Sequence, residues 1–365
     1  MSTAPDSSTH VCGPEARPDQ IDLYQRCFQQ DGSKVLPWRY DGSPHGEAIS
    51  LLSYAEDGQA ISGYASMPRQ ILHFGDEDAQ AVVGQTGDVM TDSQHRGKGL
   101  FSELDRRARE EARKRGWMAQ FGLPNSTSSE IFVGKLGWKG SGRIRPYTFV
   151  LTNDDAARRE RMRAGRLAAA LVPWHVWRGT MRRGMLRKTF FAKCNVVSVQ
   201  RFDSEVDEVW RTCAKEWPWM MRRDSAFLNW RFMDAPSDRF RAHGVFEPTG
   251  KMRAYCVVQL PTTEERVGHV MDLLAVDKVT LAAALEAGLG HLHKAGASVA
   301  RAHAIEGSWW EKTLRWAGFQ APKAADHKRV ITYVLDEDAG PLAKVAEQPT
   351  SWYFTDADRE DELVR

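Results

Sequence analysis

The sequence predicts an α+β protein made of two tandem copies of one domain, each a central mixed sheet flanked by helices. Its 365 residues exceed the usual size of one hydrophobic core, so length alone favours two domains. Three landmarks occur twice in the same order, which indicates a duplicated unit. Within each copy, alternating hydrophobicity gives way to a helical period, as expected when strands are followed by a crossover helix.

The landmarks are an aromatic motif, an aspartate and a glycine–aromatic stop. Trp38-Arg39-Tyr40 corresponds to Trp230-Arg231-Phe232, Asp88 to Asp272, and Gly137-Trp138 to Gly318-Phe319. We therefore expect five segments: a flexible N-terminus, a first domain, a basic helical linker, a second domain, and a C-terminal segment with an acidic tail, at 1–19, 20–150, 151–197, 198–338 and 339–365.

The first copy reads as a meander followed by a β-α-β crossover. Asp57-Gly58 separates two alternating runs, as in a hairpin. The meander leads to a strand that ends near Thr91. The helix after Gly99 has one apolar stripe and stops near Gly116. Residues 117–124 then form a strand parallel to the one before the helix, since such a crossover needs the intervening helix.

Composition restricts the function class. A net charge of +2 argues against a dedicated nucleic-acid binder. No apolar run approaches the roughly 20 residues of a membrane span, and the first residues do not resemble a secretory signal. Scattered cysteines without metal-ligand spacing fit a reducing compartment and predict neither disulfides nor a metal site. These features predict a cytoplasmic protein; the cysteines are Cys12, Cys27, Cys194, Cys213 and Cys256.

The predicted linker is strongly basic. From Arg158 to Lys188 it has ten Arg or Lys residues and one acid, and Pro173 breaks its helical pattern. Two interpretations stay open. One is a solvated helical linker that packs on one domain; the other is a surface that meets anionic lipid or a polyanionic substrate.

A basic, glycine-bearing turn joins the strand at Thr91 to the following helix. The turn is Arg96-Gly97-Lys98-Gly99. A helix N-terminus attracts anions because its N–H groups are unpaired, and glycines let the backbone approach a phosphate. Arg96 and Lys98 add positive charge. The turn therefore predicts a phosphate site, with a solvated basic turn as the alternative.

This region resembles the GCN5-related N-acetyltransferase (GNAT) superfamily. The family signature is Arg or Gln, two residues, Gly, one residue, then Gly or Ala, and it matches Arg96 to Leu100 but departs at Phe101. The stretch "FGLPNSTSSEIFVGKLGWK" resembles the family's next strand, helix and glycine–aromatic stop. The resemblance covers residues 20–150 and is weaker in the second copy. It is similar to bacterial tandem members, some of them associated with surface-polysaccharide or secondary-metabolite pathways.

The resemblance implies that acetyl-coenzyme A or another acyl-coenzyme A binds the first copy. The amides of Arg96, Gly97, Lys98, Gly99 and Leu100 would hold the pyrophosphate. The strand would separate from its parallel neighbour after Thr91, so that the backbone of Val89, Met90 and Thr91 faces pantetheine, with Thr91 opposite the thioester oxygen. A fixed N–H at such an oxygen is worth roughly 3 kcal/mol. Asn125 would bond the pantetheine arm or, alternatively, cap the next helix.

Proton transfer has one weak candidate. Asp88 lies in the strand where an acid is costly unless used, but Asp272 at the matching place of the second copy favours a shared structural role. The family often has a tyrosine acid where this chain has Val133. A thiol pKa of ~8.5 lets the thiolate leave unaided, so activity does not require that acid.

The second copy lacks an Arg-Gly-x-Gly turn after Asp272, so we expect a degenerate domain that walls the acceptor site. Residues 1–155 alone should then retain coenzyme A affinity but lose transfer to the acceptor. Aromatic pairs at Trp309-Trp310 and Trp352-Tyr353, with the linker cations, suggest a nucleotide-linked amino sugar as one acceptor. Core or interdomain packing is the alternative for Trp309-Trp310. The overall prediction is acyl transfer, most simply acetyl transfer, to a primary amine of a small molecule. The alternatives are a non-catalytic acyl-coenzyme A sensor or scaffold, and a peptide-bond-forming transferase that uses aminoacyl-tRNA.

Overall fold

The computed structural model describes residues 8–162, 165–190, 194–321, 327–338 and 340–359. In these ranges, one mixed sheet runs through both halves. Its strands are β1 Ser8–Val11, β2 Ile49–Tyr54, β3 Ala60–His73, β4 Asp76–Thr91, β5 Ala119–Gly122, β6 Lys139–Val150, β7 Asn195–Val199, β8 Trp219–Met221, β9 Phe240–Phe246, β10 Met252–Gln259, β11 Val267–Ala275, β12 Val299–Ile305, β13 Lys328–Val334 and β14 Trp352–Tyr353.

Helices pack on this sheet and connect its strands. They are α1 Arg17–Phe28, α2 Val35–Tyr40, α3 Leu100–Lys114, α4 Ser126–Lys135, α5 Asp155–Met162, α6 Arg166–Ala170, α7 Val172–Phe190, α8 Ser204–Ala214, α9 Ser225–Leu228, α10 Lys278–Lys294, α11 Trp309–Ala317 and α12 Pro341–Ala346. Among the described helices, none combines the length and the apolar character that crossing a bilayer requires.

The two halves repeat one order of elements, which confirms the predicted α+β class. In the first half, β3, β4, α3, β5, α4 and β6 follow one another, and β10, β11, α10, β12, α11 and β13 do so in the second. In each half the strands flanking the long helix, β4 with β5 and β11 with β12, are parallel. The stripe on α3 is confirmed, since Leu100, Leu104, Ala108 and Ala112 are buried.

The last strand of each half is exchanged with the other half. β13, from the second half, lies between β5 and β6 and is antiparallel to both. β6, from the first half, pairs with β12 over seven residue pairs, from Ile144–Ile305 to Val150–Val299. The sheet is therefore continuous, and each half depends on a strand that the other supplies.

The duplicated tryptophan motif lies where the halves meet. The Trp38 and Trp230 rings stack with centroids 4.9 Å apart. Each indole Nε1 donates a hydrogen bond to the other residue's carbonyl, at 2.9 and 3.0 Å. A motif that contacts its own copy in this reciprocal way indicates an approximate two-fold relation between the halves.

Both chain ends differ from the expectation of flexible termini. β1 pairs with β2, and the helix α1 starts at Arg17, whose guanidinium binds Asp41. At the other end, residues 352–359 are buried, including Asp356 and Asp358 of the expected acidic tail. The expectation is therefore wrong for 8–19 and 356–359, while 1–7 and 360–365 lie outside the described residues. The expected linker contains α5, α6 and α7, and β7 begins inside it.

Candidate active site

A cavity opens in the first half where two parallel strands separate. β4 and β5 pair from Val83–Ala119 to Thr86–Gly122 and then part. The cavity beyond this point has a volume of about 300 Å³. Residues after the last pair line it on both sides. The lining residues are Tyr24, Phe28, Gln30, Arg39, Gln85, Thr86, Gly87, Asp88, Val89, Gly122, Leu123, Pro124, Asn125, Ser128, Phe132, Lys328 and Ile331.

A bulge in β4 shapes one wall of the cavity. The β3–β4 register shifts between Gly63 and Ala65, and Asp88, on the bulged stretch, has a left-handed φ of 48°. Such a φ is uncommon outside glycine, so the conformation needs support. Arg39 Nη1 and the Tyr40 hydroxyl both donate to Asp88 Oδ2, at 2.5 and 2.6 Å. Burial, reinforced by the Asp88 charge, raises the pKa of Tyr40, so its hydroxyl stays protonated and keeps donating.

The basic turn leads directly into α3. Gly97 and Gly99 have φ values of 79° and 82°, which a side chain would strain. Gly99 is the N-cap of α3, and no side chain caps its first amides. Arg96 and Lys98 are exposed, and within the described residues neither forms an ion pair. An uncapped helix start that follows two exposed cations suits an anion, and the phosphate site stays a prediction.

The matching helix of the second half is already capped. Asp277 is the N-cap of α10, and its carboxylate accepts hydrogen bonds from the amides of Val279 and Thr280, at 2.9 and 2.8 Å. This carboxylate takes the place that an external anion would need, and its charge would repel a phosphate. The second half therefore differs from the first in the turn itself.

In the second half, the space where β11 and β12 separate is filled by residues Tyr353–Asp358 of the chain's own C-terminal segment. β11 and β12 pair only from Val267–Val299 to His269–Arg301. Beyond that point, His303 donates its backbone N–H to Asp356 at 2.7 Å. The Tyr353 hydroxyl donates to the carbonyl of Leu273, and the Thr355 hydroxyl donates to Asp272 at 2.7 Å. The space between β4 and β5 is therefore a cavity, whereas the corresponding space between β11 and β12 is occupied by C-terminal residues.

The expected site residues are only partly brought together. Asp88, Val89 and Asn125 line the cavity. Asn125 also caps α4 by accepting the Ser128 amide at 2.9 Å, which is the alternative role considered for it. Met90 is buried in an apolar cluster, and the Thr91 hydroxyl bonds with that of Ser62. Neither residue lines the cavity.

The expected separation of the strands after Thr91 is wrong, because β4 and β5 already part after Thr86. Sequence reasoning therefore missed Gln85, Thr86 and Gly87. It also missed Arg39, although that residue lies in the duplicated aromatic motif. No sequence pattern pointed to Lys328, because this residue reaches the cavity on the exchanged strand β13.

The aromatic pairs proposed to stack on a sugar lie in the core. Trp310, Trp352 and Tyr353 are at most 2% exposed. Trp309 packs on Trp217 and Tyr353 in the same region. These pairs are therefore unavailable to an acceptor, which corrects that expectation. In the described ranges, no three or more His, Cys, Asp or Glu side chains are grouped so that they could hold a metal ion.

Comparison with known proteins agrees with this architecture. The model of an acetyltransferase (GNAT) domain matches residues 13–140. No curated protein matches the sequence. Three solved structures with similar folds differ strongly in sequence, so they bear on the fold alone.

The first is a GCN5-related N-acetyltransferase from Anabaena variabilis, with a TM-score of 0.62 and 11% identity over 91% of this chain and 74% of that one. The second is a tandem GNAT protein from the clavulanic acid biosynthesis pathway. Its TM-score is 0.56, with 13% identity over 90% of this chain and 99% of that one. The third is the Saccharomyces cerevisiae N-myristoyltransferase with bound myristoyl-CoA. Its TM-score is 0.57, with 11% identity over 92% of this chain and 81% of that one.

Proposed function

We propose that the protein transfers an acyl group from acyl-coenzyme A to a primary amine of a small molecule, because residues 13–140 match the model of an acetyltransferase (GNAT) domain and the fold is similar to that of a tandem GNAT protein. One observation carries the proposal. The first half combines an uncapped helix start with an open cavity, whereas the second half has a carboxylate cap and a filled opening. A single coenzyme site in the first half follows.

The residues fit acyl-coenzyme A at both ends of the cavity region. Arg96 to Leu100 would bind the pyrophosphate through backbone amides, with added charge from Arg96 and Lys98. The backbone of Gly87 to Val89, on the edge of β4 that β5 has left, would face pantetheine and the thioester. The thioester supplies the acyl group, and a fixed amide near its oxygen would contribute roughly 3 kcal/mol to the transition state.

We assign Asp88 a positioning role. Its carboxylate is already held by a buried arginine and a tyrosine, and that arrangement fixes the bulge that lines the cavity. Asp272 is held in the same way in a half whose opening is filled, which supports structure as the common purpose. The amine proton would then leave through water in the cavity.

The acceptor would approach where the second half contributes to the cavity wall, at Lys328 and Ile331 of β13. A cationic side chain there favours an amine that also carries an anionic group. Nucleotide-linked amino sugars belong to that class and should be included in a screen. Acetyl-coenzyme A is the donor to test first.

Calorimetric titration with acetyl-coenzyme A tests the coenzyme site. Gly99→Asp should weaken binding at least roughly tenfold, because it puts a carboxylate at the α3 N-terminus. Gly116→Asp is the matched control: Gly116 also has a positive φ, 70°, and open space around its Cα, but it lies beyond the other end of α3. Equal affinity in both variants would refute the site.

A thiol-release assay over a panel of amines then tests transfer. Amine-dependent release of coenzyme A supports the enzyme. Tight coenzyme binding with no release for any amine class would instead favour the sensor, the alternative suggested by Val133, which packs in an apolar cluster where the family often has a tyrosine.

A further inference from the structure

The helix α7 has two apolar faces. One is covered by protein, and the other is exposed at the positions whose side chains the structure describes. Its inner face packs on α10 and β6. There, Val172 is buried and Gly179 lies so close to the Phe149 ring that an added Cβ would be 2.8 Å from it. Arg183 closes this face by donating to Glu286 at 2.7 Å. The helix is therefore anchored to the domain through one side.

Large apolar side chains occupy the opposite face. Trp174, Trp177 and Met181 are 47%, 61% and 54% exposed. At about 100° per residue these three positions fall within an arc of roughly 60°, turned away from Val172 and Gly179. Leu167 and Leu171, just before α7, are exposed as well. Single exposed apolar residues are ordinary, but a stripe of this kind marks an interaction surface.

Cations accompany the stripe. Arg166 and Arg178 are exposed, and the Arg178 guanidinium lies over the Trp174 ring at 5.4 Å. From Arg158 to Lys188 the sequence has ten Arg or Lys residues and one acid, although the protein's net charge is only +2. Two of these ten, the buried Arg161 and the inward-facing Arg183, do not belong to the outer face. Tryptophan and leucine beside arginine are typical of helices that lie in a membrane interface, where the rings enter the headgroup boundary and the cations meet anionic lipid.

We propose that this face of α6 and α7, defined by Leu167, Leu171, Trp174, Trp177 and Met181, binds the surface of an anionic lipid membrane. A second copy of the chain fits less well, because a symmetric contact would bring Arg178 near its own equivalent, and like charges repel. The proposal does not depend on acyl transfer. It resolves the two interpretations of the basic linker: α7 packs on one domain and also presents a lipid-binding face.

Flotation of the full-length protein with vesicles tests the proposal. Vesicles of phosphatidylcholine mixed with phosphatidylglycerol should carry the protein upward, whereas pure phosphatidylcholine should carry much less. Raising the salt concentration should reduce binding, since the Debye length shortens from about 10 Å at 0.1 M to about 3 Å at 1 M. The Trp174→Ser/Trp177→Ser variant should bind at least roughly tenfold more weakly.

A matched variant separates this surface from exposed tryptophan in general. Trp316 is 44% exposed on α11, so Trp316→Ser should bind vesicles like the unchanged protein. Circular dichroism should show that all variants stay folded. Absence of flotation with anionic vesicles, or equal flotation of the double variant, would overturn the proposal. Concentration-dependent dimerisation that the double variant abolishes would identify a second copy as the occupant instead.

Discussion

At the scale of single residues, the duplicated aspartates keep one arrangement while their partners change. Asp88 accepts hydrogen bonds from Arg39 and Tyr40, which are neighbours in the chain. Asp272 is bonded by Tyr255 at 2.7 Å and paired with Arg223, which follows β8. Each carboxylate thus has one arginine and one tyrosine as partners, which the fully buried Asp272 in particular requires.

The arginine of the second motif has taken another role. Arg231, the counterpart of Arg39, donates to the carbonyls of Ala357 and Arg359. Burial, together with the neighbouring Arg69, lowers its pKa. The same sequence motif therefore anchors a bulge in one half and the C-terminal segment in the other.

Replacing either aspartate should cost stability more than coenzyme binding. Asp88→Asn should lower the free energy of unfolding by about 3 kcal/mol, because it removes the carboxylate with which the buried Arg39 pairs. Asp272→Asn should lower it by less, because the buried Arg223 keeps its ion pair with Asp358. Urea denaturation measures this loss.

Acetyl-coenzyme A affinity should stay unchanged in Asp272→Asn, which lies in the other half, and should fall only modestly in Asp88→Asn, because Tyr40 can still donate to the amide oxygen and hold the bulge. If Asp88→Asn kept full stability but lost amine-dependent turnover, Asp88 would be the proton acceptor and our assignment would fail.

His45 should make stability depend on pH. It is buried and stacks on Phe227 with centroids 5.0 Å apart. Burial, helped by the Arg69 charge, lowers the pKa of His45 well below its ordinary value. Below pH ~6.5 the unfolded chain gains a proton that the folded protein does not bind, so the free energy of unfolding falls as pH falls.

The contribution of His45 to the slope of the free energy of unfolding against pH approaches roughly 1 kcal/mol per pH unit near pH 5.5. His45→Gln should remove that slope, whatever constant change it makes to stability. Denaturation curves between pH 5 and 7 are the measurement. His243, whose pKa burial lowers to about 4, should contribute a second slope that survives in His45→Gln. An unchanged total slope in the variant would contradict the prediction.

At the scale of elements, local patterns predicted the fold where structure depends on near neighbours. The α3 stripe, the Asp57-Gly58 hairpin and the parallel crossover all follow from spacing and turn chemistry. β13 and the C-terminal segment were not predictable in this way. β13 lies beside β5, about 200 residues away in sequence, and no period or turn signal specifies a pairing over that distance.

The candidate site also combines features that local sequence predicts with features that depend on residues distant in sequence. The glycines of the phosphate turn have local signals, because a positive φ selects glycine. The point where β4 leaves β5 has none, since it depends on how far two separate strands stay paired. Acidic residues at the C-terminus were read as a tail, yet Asp356 is buried by its bonds to His303. An acidic composition predicts exposed side chains only when no residue distant in sequence binds them in the folded protein.

The C-terminal segment should behave as a stabilising part of the second half. Thr355→Val keeps the shape but removes the hydroxyl that donates to Asp272, so it should cost about 1–2 kcal/mol in the free energy of unfolding. Thr350→Val is the matched control, an exposed threonine five residues earlier. Urea denaturation compares the two, and equal stability would show that the segment contributes little.

At the scale of the whole molecule, strand exchange makes the halves interdependent. Without β13, the sheet of the first half would lose the strand beside β5. Without β12, β6 would lose its pairing from Ile144 to Val150, which includes the buried Tyr147 and Phe149. The stacked Trp38 and Trp230 would separate as well. A cut between the halves therefore breaks several interfaces at once and leaves unpaired strand edges.

This interdependence reverses the expectation that residues 1–155 alone retain coenzyme A affinity. The isolated segment should unfold without a cooperative transition and lose acetyl-coenzyme A affinity, even though it contains the whole phosphate turn. Co-expression with residues 156–365 should restore both, because the second fragment returns β12 and β13. The intact chain should unfold in one transition, with tryptophan fluorescence and circular dichroism coinciding. Cooperative unfolding of 1–155 with native affinity, or two separated transitions in the intact chain, would mean that the exchanged strands are dispensable and that each half folds by itself.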